Sequence, residues 1–136
     1  MQNSTKRLNR VMLIDDNEVD LKINAKVLSI SNLFEHIIYF KSGESGLTYL
    51  KKHIHHPEEL PDLILLDIQM PDMNGFEFLD YYKRLPKPFI DNCTVTILSS
   101  TLDFGDIKKA EANTYVAKMF MKPLNPKELR DFLHLL

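Results

Sequence analysis

Hydrophobic residues along the chain fall into short unbroken runs separated by longer periodic stretches. Four runs are plain: "VMLI" (11–14), "LILL" (63–66), "VTIL" (95–98) and "VAKMFM" (116–121), and "HIIYF" (36–40) makes a fifth. Each has the length of a strand, and most do not alternate polar with apolar, which is how strands covered on both faces read. Between them lie helical patterns. Asn17 is placed to cap a helix with Ile23, Val27, Leu28 and Ile30 on its apolar face, and Ser42 a second with Leu47, Leu50 and Ile54 inward. A third follows Gly75, turning Phe76, Leu79 and either Tyr81 or Tyr82 inward. A weaker pattern over 103–112 carries Ile107 and Ala110. The last helix has Asn125 as cap, Pro126 at its first position and Leu129, Phe132, Leu133 and Leu136 on one side.

The order is βαβαβαβαβα, which predicts an α/β domain: a doubly wound five-stranded parallel sheet with five helices and right-handed crossovers. A tail over 1–9 and one domain over 10–136 account for the chain, and the polar loop "HHPEELPD" is too short to link two domains. In such sheets ligands bind beyond the carboxyl ends of the strands. The residues just after each apolar run therefore matter most.

Those residues are polar. Asp15 and Asp16 follow the first run, Asp67 the third, Ser99-Ser100 the fourth and Lys122-Pro123 the fifth, while Lys41-Ser42 would stand apart on an edge strand. Three carboxylates gathered in one crevice repel, and a divalent cation relieves the conflict; Mg²⁺ suits an all-oxygen set, with Mn²⁺ as the substitute. A metal and a lysine together favour a phosphoryl group. A carboxylate facing that group is a nucleophile, and its product is an aspartyl phosphate. Asp67 is the best placed, on a central strand before a turn that Pro71 stiffens and where Gly75 supplies conformational freedom. Ser99 can donate to the phosphoryl oxygens, and Ser100 adds a backbone N–H.

Composition narrows the choice. With 44% apolar residues, 26% charged residues and a net charge of −2, the chain reads as a globular domain without the basic bias that gripping nucleic acid requires. "KRLNR" is a short basic segment of the tail. One cysteine, Cys93, excludes an internal disulfide and fits a reducing compartment, the cytoplasm; no adjacent base activates it. No apolar run is long enough to span a membrane. "HIHH" (53–56) reads as a solvated loop at a helix end. Neither G-x-x-x-x-G-K-[ST] nor G-x-G-x-x-G is present, so no nucleotide-gripping loop is available.

The segments "LIDDNE", "LLDIQMPDMNG", "ILSS" and "MKPL" together resemble the landmarks of two-component response-regulator receiver domains, in order and spacing, over roughly residues 10–136. The resemblance implies a flavodoxin-like strand order 2-1-3-4-5. It implies Asp67 as phosphoacceptor, and Asp16, Asp67 and the backbone carbonyl of Gln69 as Mg²⁺ ligands, with Asp15 acting through water. Ser99 takes the switch position and Lys122 the family lysine, before a cis Lys122-Pro123 bond. Gln69 and Thr101 sit where the family tunes phosphoryl lifetime. The chain departs at Met119, where the family has an aromatic switch residue three before the lysine; Phe120 follows and should face the other way, so Met119 or a re-aimed Phe120 is left as relay. The implied partners are a histidine kinase or histidine phosphotransfer protein and a downstream protein, with no nucleic acid or membrane, and a phosphorylation-dependent homodimer is allowed. The domain would be a self-phosphorylating and self-dephosphorylating switch rather than an enzyme acting on other substrates. It ends without an output domain, as in a stand-alone receiver or one cut from a longer protein. The alternatives are a degenerate receiver that only binds partners and a haloacid-dehalogenase-type phosphatase, whose D-x-D-x-[TV] pattern "DDNEVD" does not match.

Overall fold

The computed structural model describes residues 7–100 and 103–136. Five parallel strands, β1 (Leu8–Ile14), β2 (Phe34–Phe40), β3 (Leu63–Leu66), β4 (Thr94–Ser99) and β5 (Val116–Met121), form one sheet in the order β2-β1-β3-β4-β5. Among the described residues six α-helices connect and cover them: α1 (Glu18–Ser31), α2 (Gly43–Lys52), α3 (Gly75–Tyr82), α4 (Lys87–Asp91), α5 (Phe104–Ala112) and α6 (Pro126–His134). The strand order and the alternation of strands with helices match the sequence reading. The sixth helix, α4, has no periodic signature in the sequence, because it is a single short turn between Pro86 and Asn92 with no room for an apolar face. β1 and β2 also start earlier than their apolar runs, since Leu8 pairs with Phe34 and Arg10 with His36 across the ladder.

The central strands β1, β3 and β4 are buried on both sides, while the edge strands β2 and β5 are partly exposed. Met12, Ile14, Ile64 and Leu66 pack with Leu47, Leu50, Phe78 and Tyr82 beneath α2 and α3. The alternate positions Val11, Leu13, Leu63 and Leu65 pack with Leu21, Leu28, Phe120 and Leu129 beneath α1 and α6. All four residues of β3 are at most 1% exposed, so each contributes about 1.5–3 kcal/mol of hydrophobic stabilisation. A charge at Leu65 would break this layer.

Helix starts follow their caps. The side chains of Asn17, Ser42, Asn74, Asp103 and Asn125 each accept an N–H of the first helical turn, and Asn74 and Glu77 form a reciprocal pair. The α1 face differs from expectation. Its buried residues are Leu21, Asn24 and Leu28, whereas Ile23 and Ile30 are exposed and Val27 is half-buried. Asn24 explains the change: its buried Oδ1 accepts the Leu124 N–H at 2.9 Å, so a polar residue sits in the middle of the inward stripe. Leu136 lies beyond α6 and is exposed, not inward. In α3, Tyr82 is the buried tyrosine and Tyr81 is exposed, while Phe76 is half-buried and Phe78 fully buried.

Candidate functional site

The carboxyl ends of β1, β3, β4 and β5 bring Asp15, Asp16, Asp67, Ser99 and Lys122 together. One carboxylate oxygen from each of Asp15, Asp16 and Asp67 lies within 4.8 Å of the other two. Asp15 and Asp67 are buried and Asp16 is exposed to the crevice. The crevice is completed by Asn17, Gln69 and the exposed Ser100. Lys41, on the edge strand's end, stands apart as expected and pairs with Glu18, whose carboxyl it holds below its ordinary value by a hydrogen bond and by its charge.

Asp67 is held from three sides. Its Oδ1 accepts the Ser99 hydroxyl at 3.2 Å and the Gln69 N–H at 3.3 Å, and its Oδ2 lies 3.6 Å from Lys122 Nζ. Burial lifts its carboxyl above the ordinary value, to about 6; Lys122 opposes this and Asp15 adds to it. Lys122 reaches the site from the end of β5, where the Lys122-Pro123 bond is cis. Its Nζ lies 2.5 Å from Asp15, 3.0 Å from Asp20 and 3.6 Å from Asp67. Burial alone would depress the lysine's pKa, but hydrogen bonds to Asp15 and Asp20 and the charge of Asp67 outweigh it and hold it above its usual value. Nothing in the sequence distinguishes Asp20 from an ordinary first-turn acid. It sits at the third position of a helix capped by Asn17, and only the packing of α1 beside the end of β5 reveals its role.

The turn after β3 positions Asp67 differently from expectation. Gly75 has no positive φ; among the described residues of that turn the left-handed one is Asp72, at φ 65°. Gly75 is required by proximity instead. A β-carbon there would stand 2.7 Å from the Asp67 carbonyl oxygen and 2.9 Å from Ile68 Cα. The Gly75 N–H donates to the Ile68 carbonyl at 3.0 Å, drawing the start of α3 against the end of β3. The exposed side chain of Gln69 donates to Asp106 on α5 at 3.1 Å. Thr101 lies outside the described residues.

The residues at the expected relay position part company. Phe120 is 1% exposed and meets Phe132 edge-on beneath α1 and α6, while Met119 is half-buried against Ile97, Ile68 and Ala110 on the opposite face. The register of β4 and β5 shifts between Val95 and Thr96, but Phe120 keeps the face that alternation assigns it. Burial pushes the Cys93 thiol up to about 12, which keeps it protonated. His56 is exposed and its nearest charged partner is Glu58, in keeping with a solvated loop.

The sequence model for the response regulator receiver domain matches residues 11–134. The chain belongs to the response regulator receiver family. A two-component response regulator from Cytophaga hutchinsonii is 30% identical and superposes with a TM-score of 0.87 over 96% of this chain and 97% of that one. A response regulator receiver protein from Dyadobacter fermentans is 34% identical, with a TM-score of 0.84 over 93% and 96% of the two chains. The probable methanogenesis regulatory protein FilR2 of Methanothrix harundinacea is 28% identical over 88% of this chain and 76% of its own length. Some curated relatives are longer: the chain spans 30% of a protein-glutamate methylesterase/protein-glutamine glutaminase of Trichodesmium erythraeum. Among the described residues no helix is long and apolar enough to cross a membrane.

Proposed function

We propose that this receiver accepts a phosphoryl group on Asp67 from a phosphohistidine of a histidine kinase or histidine phosphotransfer protein. The observation that carries this reading is the convergence on Asp67: Ser99 and the Gln69 N–H on one oxygen, Lys122 near the other, and Asp15 and Asp16 alongside. The donor set is all oxygen, as Mg²⁺ requires. Asp16, Asp67 and the Gln69 carbonyl would hold the ion. Asp15, whose Oδ2 faces Lys122 and whose Oδ1 accepts the Asn17 N–H, would act through water. Bound there, Mg²⁺ would supply charge that offsets the phosphoryl oxygens.

An Asp67 carboxylate oxygen attacks phosphorus in line. The O–P bond forms as the N–P bond to the donor imidazole breaks, and the imidazole leaves with the electron pair. Ser99 then donates to a phosphoryl oxygen, and Lys122 pairs with the new negative charge. Water later cleaves the acyl phosphate to inorganic phosphate and the free carboxylate, a reaction whose rate Gln69 and Thr101 would tune. The phosphorylated state biases a surface formed by α5, β5 and α6 toward a downstream protein in the cytoplasm or toward a second receiver.

Intact mass spectrometry after incubation with acetyl phosphate and Mg²⁺ tests this. One added phosphoryl group is expected, absent from Asp67→Asn and absent with EDTA. An unmodified wild-type mass would sink the reading in favour of a receiver that only binds partners.

A further inference from the structure

Helix α1 grips the loop that carries Lys122 at two successive turns. Asn24 accepts the Leu124 N–H at 2.9 Å, and one turn earlier Asp20 Oδ2 lies 3.0 Å from Lys122 Nζ. The ammonium therefore has three carboxylates around it, and Asp67, at 3.6 Å, is the most distant. The lysine side chain is 6% exposed, so these carboxylates are its main source of neutralisation, whereas Asp20 keeps 30% of its surface in the crevice.

We propose that Asp20 is a positioning residue for Lys122. It holds the ammonium on the α1 side of the crevice, against Asp15. The outer face of Asp67 is then left to a divalent cation and a phosphodonor. Asp20 yields the ammonium when a phosphoryl group adds charge to Asp67. The inference rests on the function proposed above and assigns a residue to it. Without the Asp20 charge, Lys122 keeps Asp15 and settles closer to Asp67, where it competes with the cation for the same oxygens.

Calorimetric titration with Mg²⁺ at fixed ionic strength tests this on the full chain as wild type, Asp20→Asn, Lys122→Met and the double variant. Losing one negative charge weakens cation binding by itself, and by the same factor with or without the lysine. Repositioning the lysine adds a second factor that needs Lys122 present. Asp20→Asn is expected to weaken Mg²⁺ binding about tenfold in the wild-type background and only about threefold beside Lys122→Met. Asp20→Glu, which keeps the charge, is expected to restore most of the affinity. Equal factors in the two backgrounds would overturn the proposal. If circular dichroism shows that Lys122→Met is unfolded, Lys122→Gln serves as the second background. A wild-type chain that binds no Mg²⁺ at all would overturn the proposed function as well, a result distinct from normal binding with equal factors.

Discussion

Gly75 and Asp67 are in backbone contact: a β-carbon on Gly75 would lie 2.7 Å from the Asp67 carbonyl oxygen. The neighbour is main chain, which cannot swing aside as a side chain can. Gly75→Ala must push β3 and α3 apart, and it should cost about 1–3 kcal/mol. Because the strain falls on the phosphoacceptor itself, phosphorylation by acetyl phosphate should slow as well. Urea denaturation and the time course of mass increase measure the two effects. Unchanged stability would show that the contact relaxes freely.

The raised Asp67 carboxyl has a pH signature in metal-free protein. Folded Asp67 releases its proton at about 6, while the unfolded chain does so near the ordinary value of about 3.9. Between these values the folded state binds more protons, so stability falls as pH rises. The contribution is intact below the unfolded value and is lost as pH climbs through the folded one. Asp67→Asn removes the loss and should be more stable than wild type by about 1–2 kcal/mol at pH 7.5 in EDTA, with the gap closing near pH 4. A gap that does not change with pH would contradict this.

Asn24 ties α1 to the β5–α6 loop through one buried hydrogen bond. Asn24→Leu keeps the branched shape, though bulkier, and leaves the Leu124 N–H without its acceptor; it should cost about 1–3 kcal/mol. Asn24→Asp retains an acceptor and should be milder at neutral pH. Thermal melting of the two variants decides, and equal losses would argue against the hydrogen bond as the cause.

Phe120 and Met119 should separate cleanly. Phe120 is fully buried beneath α1 and α6, and Met119 only half-buried on the other face. Truncation to alanine should cost about 3–4 kcal/mol at Phe120 and about 1–2 kcal/mol at Met119. If Phe120→Ala is as mild as Met119→Ala, the ring does not anchor the core and is free to act as a relay.

Much of this was legible in the chain. Unbroken apolar runs mark strands covered on both faces, and the polar residues that end them mark the crevice, because a parallel sheet sends every carboxyl end to one side. Asn17, Ser42 and Asn125 announced their helices for the same local reason, an acceptor for N–H groups that the first turn leaves bare. These are short-range rules, so one sequence suffices for them.

The rest depended on which surfaces meet. Asn24 reads as a break in an apolar stripe until the loop after β5 supplies a buried N–H for it, and only then do Ile23 and Ile30 turn outward. Gly75 suggests a special dihedral, yet the structure needs it for close approach to Asp67. Asp20 looks like one more acid in a first helical turn until Lys122 arrives from 102 residues away. Local periodicity and bonding demand mark the strands, the caps Asn17, Ser42 and Asn125, and the groups at the strand ends. Which helix face turns inward and which carboxylate holds the lysine depend on contacts between segments far apart in the chain, so they emerge only when those segments pack.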